Sequence, residues 1–163
     1  MGHRSRHKLT TQASTALQGA GHDFAVHTYT HNPQRVDYGA ECVDKLGVEP
    51  GRVLKTLVLQ VGEAYVVAIL PVQTLLNLKA VAEHCGTKRA ALAVRQIAER
   101  RTGYVLGGVS PFGQRQSHKT LIDVSATQWE TVFVSGGRRG VELEVTPQTL
   151  ITATNGEFAR ISR

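Results

Sequence analysis

Val53-Leu54-Lys55-Thr56-Leu57-Val58-Leu59-Gln60-Val61-Gly62-Glu63-Ala64-Tyr65-Val66-Val67-Ala68-Ile69-Leu70-Pro71 is the stretch on which the fold turns. Val53 to Val61 is rich in aliphatic and β-branched residues, Gly62-Glu63 has the makings of a two-residue turn, and Tyr65 to Leu70 is a second apolar run that Pro71 stops. The stretch predicts a β-hairpin. Side chains alternate along a strand, so Val53, Lys55, Leu57 and Leu59 share one face. Lys55 is the charged member of that apolar row. Two readings of it stand open. It is a snorkelling or edge-guarding lysine, or it is an ammonium held in a pocket, where a low dielectric strengthens its pull on a carbonyl or oxyanion.

Upstream of the hairpin, Ala13, Ala16 and Leu17 predict a helix from Thr11 to Gly19. Phe24 to Thr30 alternates as a strand, and Asn32-Pro33 is a turn. Asp37 is placed to cap a helix over Ala40 to Leu46, which Gly47 ends. Downstream, Asn77 caps a helix with Leu78, Val81 and Ala82 on one face, and a second helix runs from Ala93 to Arg100. Gly103 to Val109, Thr120 to Val124, Thr131 to Ser135 and Val141 to Val145 read as short strands. Thr146-Pro147 opens a last helix. Short strands mixed irregularly with helices exclude the alternation of a doubly wound sheet. The expected fold is α/β of the α+β type, a mixed, barrel-like β-sheet surrounded by helices.

A chain of 163 residues, 41% hydrophobic and 20% charged, has the material for one globular domain. The expected division is a flexible basic arm at residues 1–8 and a single domain at 9–163. The longest uncharged apolar stretch lies within Ala64 to Leu78 and is interrupted by Pro71, Gln73, Thr74 and Asn77, so no membrane span is expected. No apolar run follows Met1 to Lys8, so no secretory signal is expected either. Cys42 and Cys85 stand far apart and form no Cys-x-x-Cys pair, which argues against a disulfide scaffold or a thiolate zinc site and for reduced thiols in a cytoplasm.

The net charge is +6. Arg4, Arg6 and Lys8 have no acid near them, and Lys88, Arg89, Arg95, Arg100, Arg101, Arg115 and Lys119 share their segment with Glu99 alone. A basic segment on an acidic body suits a polyanionic partner, through phosphate contacts; ordinary solubility charge is the other reading.

Two glycine segments, Gly107-Gly108-Val109-Ser110-Pro111-Phe112-Gly113-Gln114 and Ser135-Gly136-Gly137-Arg138-Arg139-Gly140, allow close backbone approach and N–H groups turned toward an anion. Tight turns explain them equally well. Neither matches a dinucleotide or Walker pattern, so no nucleotide cofactor is expected. His27, Tyr29 and His31 share a strand face. A third ligand is missing, so Tyr29 is the better candidate, as a pocket wall or hydroxyl donor, and no metal is expected.

Taken in order, His27-Thr28-Tyr29, Lys45-Leu46-Gly47, Val53-Leu54-Lys55-Thr56-Leu57, Leu78-Lys79, Thr102-Gly103-Tyr104 through Gly113-Gln114, Ile122-Asp123 and Val134-Ser135-Gly136-Gly137 through Gly140 resemble the YbaK/EbsC family of aminoacyl-tRNA deacylases. The likeness is closest to the Cys-tRNA(Pro) deacylase branch and runs from about Thr15 to the C-terminus. It implies the barrel-like fold of the prolyl-tRNA synthetase editing insertion and hydrolytic removal of a wrong amino acid from tRNA. It also implies aminoacylated tRNA and prolyl-tRNA synthetase as partners, with no cofactor. Lys55 matches the family's essential lysine, and Tyr29, Thr56, Gly108, Ser135 and Gly136 match pocket positions. Gly107, Ser110 and Glu142 complete the expected substrate site, Glu142 standing where the branch usually has aspartate. Lys88, Arg89, Arg115 and Lys119 are expected to track the acceptor stem. The segment Arg115 to Lys119 lacks the proline usual before Thr120. A deacylase for another small amino acid such as alanine, and a non-catalytic module that binds tRNA or a synthetase, are the alternatives.

Overall fold

The expected hairpin forms as β2 (Leu54–Val61) and β3 (Ala64–Pro71), paired antiparallel from Leu54 opposite Pro71 to Val61 opposite Ala64. The structure, a computed structural model, describes residues 10–163, so the basic arm at 1–8 lies outside the described residues. On the far edge of β3, β5 (Lys119–Asp123) and then β8 (Glu157–Ala159) add in parallel, and β4 (Ala90–Leu92) adds antiparallel to the end of β2. A second, antiparallel sheet has the order β1 (Ala25–Thr28), β7 (Val141–Val145), β6 (Val132–Ser135). The expected barrel is thus two sheets, joined where Val53 bridges Phe133. One edge of β2 is shared between them. β4 occupies it at Leu59–Val61 and β6 meets it at Val53, which leaves Lys55 to Leu57 open.

The two faces of β2 explain its nearly continuous apolar run. Leu54 and Val58 face the main core, with Val67, Ile69 and Ile122 of the same sheet and Val134, Leu143 and Val145 of the other. Helix α1 (Gln12–Gly19) closes that core with Ala13 and Leu17. The opposite face carries Leu57, Leu59 and Val61 against Val81 of α3 (Leu78–His84). A fully buried leucine such as Leu59 contributes about 2–3 kcal/mol relative to exposure.

Three helices carry side-chain caps, of which the one at Asn77 is the cap expected from the sequence. Thr11 and Ser14 form a capping box, Asn77 Oδ1 accepts from Ala80 N–H at 3.0 Å, and Thr146 Oγ1 accepts from Thr149 N–H at 3.0 Å at the start of α5 (Pro147–Thr154). Asp37 precedes α2 (Tyr38–Leu46) but makes no side-chain cap, because its carboxylate is taken by Arg35. Gly47 ends α2 with φ 65°.

Gly103 to Val109, expected to be a strand, is a loop. Gly103 and Gly107 hold φ of 81° and 90°, and Gly108 N–H turns back to the Val105 carbonyl at 2.9 Å. Helix α4 (Arg95–Thr102) begins later than expected because Ala93 N–H donates to the Val58 carbonyl, prolonging the sheet edge. β4 and β8, three residues each, are too short for an alternation to register. Among the described residues no helix is long and apolar enough to cross a membrane.

Candidate active site

The open stretch of the β2 edge lies on a cavity of about 630 Å³. Val58 gives its carbonyl to Ala93 on the β4 side. With a strand period of two, the main chain of Thr56 turns to that same edge, where neither β4 nor β6 pairs with it. Val53 to Val58 form one wall, α2 contributes Tyr38, Gly39, Ala40 and Cys42, and α4 contributes Arg95 and Ala98. Leu106 and Gly107 come from the loop after α4, Tyr29 follows β1, and Ser135 and Glu142 come from the second sheet.

Lys55 is the half-buried cation of this cavity. Its Nζ donates to the Thr74 carbonyl at 2.6 Å, and burial lowers its pKa below the ordinary lysine value. The next residue, Thr56, lies on the other face of β2 but lines the same cavity at the open strand edge; its Oγ1 is buried and lacks a hydrogen-bond partner, alone in this among the buried side-chain polar atoms of the described residues. A buried hydroxyl without a partner costs free energy that a ligand can return.

On the second sheet Glu142 sits opposite Ser135 on β6 and His27 on β1. It lines the cavity but protein surrounds it, and burial pushes its pKa up to about 8, against a smaller lowering by Cys42. Burial, aided by Glu142, also raises the Cys42 thiol and the Tyr29 hydroxyl. This end of the cavity is therefore lined by weak acids that hold their protons, in a mostly apolar wall. A few convergent polar groups in such a wall are the ordinary make-up of a small-molecule site.

The two glycine segments meet here. A Cβ on Gly108 would lie 2.8 Å from the Arg138 Cα, and one on Gly107 2.7 Å from Arg139 Nε and from the Tyr38 ring. Arg139 stacks over Tyr38 at 4.2 Å and donates to the Leu106 carbonyl at 2.9 Å. Close approach is thus what these glycines serve. Their N–H groups are largely committed inside the protein: Gly108 to Val105, Gly136 to the Val141 carbonyl at 2.7 Å, and Gly137 to Ser135 Oγ at 3.2 Å. The oxyanion-donor role expected of the glycine segments finds no free N–H at these three positions.

Of the residues singled out in the sequence, Lys55, Tyr29, Thr56, Gly107, Ser135 and Glu142 line the cavity. Gly108, Ser110 and Gly136 do not line it. Ser110 is fully buried, and its Oγ accepts from Phe112 N–H. Cys42, Tyr38, Thr74, Arg95 and Arg139 were not anticipated. They come from loops and helices whose approach no local pattern encodes. His27 and His31 pair separately, with Glu144 at 2.8 Å and with the buried Glu41 at 2.5 Å. Among the described residues no group of three potential ligands is placed to hold a metal ion.

The basic residues lie elsewhere. Lys119 stands opposite Val66, and Lys88 and Arg89 precede Ala90, which pairs with Val61, so all three gather at the turn end of the hairpin. Lys55 pairs with Leu70, four residues along β3 from Val66, or about 13 Å away. Lys119 also meets Glu157 at 3.6 Å. Arg115 is tied by its N–H to the Thr102 carbonyl at the end of α4.

The arrangement of sheets and helices recurs in solved structures. One, described as a proposed trans-editing enzyme for prolyl-tRNA synthetase, superposes with a TM-score of 0.84 at 21% identity, covering 93% of this chain and 95% of that one. It establishes the shared fold. Residues 33–153 match the aminoacyl-tRNA editing domain, and the chain belongs to that family. EbsC of Enterococcus faecalis, named for a proposed Cys-tRNA(Pro)/Cys-tRNA(Cys) deacylase activity, is 38% identical over 73% of each chain. YwhH of Bacillus subtilis, which carries no assigned function, is 28% identical over 68% of this chain and 70% of its own.

Proposed function

We propose that this protein is a trans-editing hydrolase that removes cysteine from mischarged Cys-tRNA(Pro), and that Cys-tRNA(Cys) is a second substrate. The observation that carries this is Lys55, an ammonium on an apolar strand wall, lining one cavity with the unpartnered Thr56 hydroxyl. A module that only binds has no need of either. The relatives' names supply the substrate class.

The cavity's own thiol is a poor nucleophile, since burial keeps Cys42 protonated. The substrate brings a better one. Its free thiol, with an ordinary pKa of about 8.5, is partly ionised near neutral pH. The sulfur attacks the ester carbonyl, the ribose oxygen leaves and takes up a proton, and cysteine departs as a cyclic thioester that water opens. Holding thiol and carbonyl together removes at best roughly 7–11 kcal/mol of barrier. Lys55 orients the aminoacyl end with the donors that Thr74 leaves free, and Thr56 supplies a further hydrogen bond. Tyr29, Ser135 and Glu142 line the side-chain end, and Lys88, Arg89, Arg115 and Lys119 attract the RNA backbone. Prolyl-tRNA synthetase is the partner that generates the substrate.

The test is hydrolysis of Cys-tRNA(Pro), Ala-tRNA(Pro) and Ser-tRNA(Pro) by the wild type and Lys55→Ala. Loss of the cysteinyl ester alone, abolished by the substitution, is the expected result. Loss of the alanyl or seryl ester overturns the thiol-assisted route while leaving the enzyme class. RNA binding without turnover of any ester makes the protein a binding module.

A further inference from the structure

At the mouth of the cavity the lining changes character. Leu92 and Leu106 both belong to it, yet they are 60% and 44% exposed. Val94 and Val105, beside them in sequence, are 58% and 64% exposed. Exposed aliphatic residues scattered singly need no account, but a cluster rimming a pocket marks a contact surface.

Leu106 is held there firmly. Its N–H donates to Glu99 Oε2 at 2.8 Å, and its carbonyl accepts from Arg139 at 2.9 Å. Glu99 Oε2 also meets Arg95 Nε at 3.5 Å. One carboxylate therefore fixes both the backbone of an exposed leucine and a rim arginine. Both main-chain groups of Leu106 are bonded while its side chain faces solvent. Folding alone gains little from such an arrangement.

We infer that Leu92, Leu106 and Arg95 form a seat for the terminal nucleotide of the RNA 3′ end, the leucines covering the faces of its base and Arg95 pairing with its phosphate. This rests on the reading of the cavity as the aminoacyl-ester site and extends it outward. An aminoacyl ester inside the cavity carries its nucleoside directly to the mouth. A volume of about 630 Å³ is also far more than one small amino acid fills, and it falls in the range of sites that engulf ligands of nucleoside size. Splayed RNA bases are held by stacking and by burial of their faces, and an aliphatic side chain contributes the burial alone. The seat reads the face of a base and not its edge, so it tolerates different tRNA bodies above a common 3′ end.

The test uses uncharged acceptor-stem RNA hairpins, one with an intact 3′-terminal adenosine and one with an abasic terminal nucleotide. Affinity is measured for wild type and for Leu92→Ser/Leu106→Ser, whose altered side chains are exposed and whose backbone bonds persist. Wild type is expected to bind the intact hairpin about five- to tenfold more tightly than the abasic one, the effect of burying some tens of Å² of base surface, and the double variant to bind the two alike. Equal affinity of wild type for both hairpins overturns the seat, and so does a preference that survives in the double variant. Because the probes carry no ester, hydrolysis is not read. Failure to cleave Cys-tRNA(Pro) with the base preference intact sinks the proposed activity and leaves the seat. Turnover without a base preference does the reverse.

Discussion

Lys55 Nζ lies 2.6 Å from the carbonyl oxygen of Thr74, a main-chain group of the loop between β3 and α3. The bond points the amine from the start of β2 toward the chain that leaves the hairpin, and it keeps the amine in the cavity wall. An ammonium has three donors, so one bond to a carbonyl leaves two for a ligand.

Replacing Lys55 by alanine is therefore expected to lower deacylation by about 10²–10³-fold, the usual loss when one preorganised donor is removed. The fold should survive, since the side chain is only half-buried and one ordinary hydrogen bond is lost, about 1 kcal/mol. Single-turnover kinetics and a thermal melt separate the two effects. A variant as active as wild type removes Lys55 from the mechanism.

Thr56 gives the opposite sign for stability. Its Oγ1 is buried without a partner, so Thr56→Val, of nearly the same shape, removes a desolvated hydroxyl. We expect a gain of about 1 kcal/mol in urea unfolding together with a roughly tenfold fall in deacylation. A stabilised variant with unchanged activity would mean that the hydroxyl meets no substrate.

Glu142 makes stability depend on pH. Burial raises its pKa from 4.5 to about 8 in the folded protein. Between those values the unfolded chain releases a proton that the folded chain keeps, so stability falls as pH rises through that window. Glu142→Gln, which stays neutral, should flatten the profile, the difference across the window being on the order of a few kcal/mol. Denaturant titrations at pH 5, 6.5 and 8 measure it. Parallel profiles for the two proteins would show that Glu142 is ionised throughout.

The close packing of the glycine segments has a cost attached to any side chain. In Gly108→Ala the new Cβ meets the Arg138 backbone at 2.8 Å, and no flexible atom is there to yield. About 1–3 kcal/mol of destabilisation is expected, with a rise in KM larger than the fall in kcat as the two loops part beside the cavity. An unperturbed melt would show that the loops separate freely.

The hairpin, the cap at Asn77, the helix start at Thr146-Pro147 and the apolar face that isolates Lys55 were legible because each rests on residues near in sequence. What stayed hidden depends on distance along the chain. The Arg139 contact to Leu106 joins residues 33 apart, and Cys42 meets Glu142 across most of the domain. The loop over 103–109 reads as a strand by its Tyr104-Val105-Leu106 run, yet Gly103 and Gly107 at positive φ turn it back. The glycine segments were legible as places of close approach, but not what they approach. Each segment meets the other's backbone or a tyrosine ring, and the N–H groups of Gly108, Gly136 and Gly137 are spent inside the protein.

The basic residues remain to be weighed by salt. Lys88, Arg89 and Lys119 gather about 13 Å along the sheet from the level of Lys55, within the reach of an RNA backbone whose 3′ end enters the cavity. Each phosphate contact adds roughly 0.7–0.9 to the steepness of log K against log salt. Lys88→Ala/Arg89→Ala should therefore weaken binding of an acceptor-stem hairpin and reduce that slope by about 1.5. Lys119→Ala should reduce it less, because Glu157 already shares its charge. Deacylation at saturating RNA should be unchanged, since none of these side chains lines the cavity. A slope equal to that of wild type would leave the hairpin end with solubility charge only and move the RNA path to Arg95, Arg138 and Arg139 around the mouth.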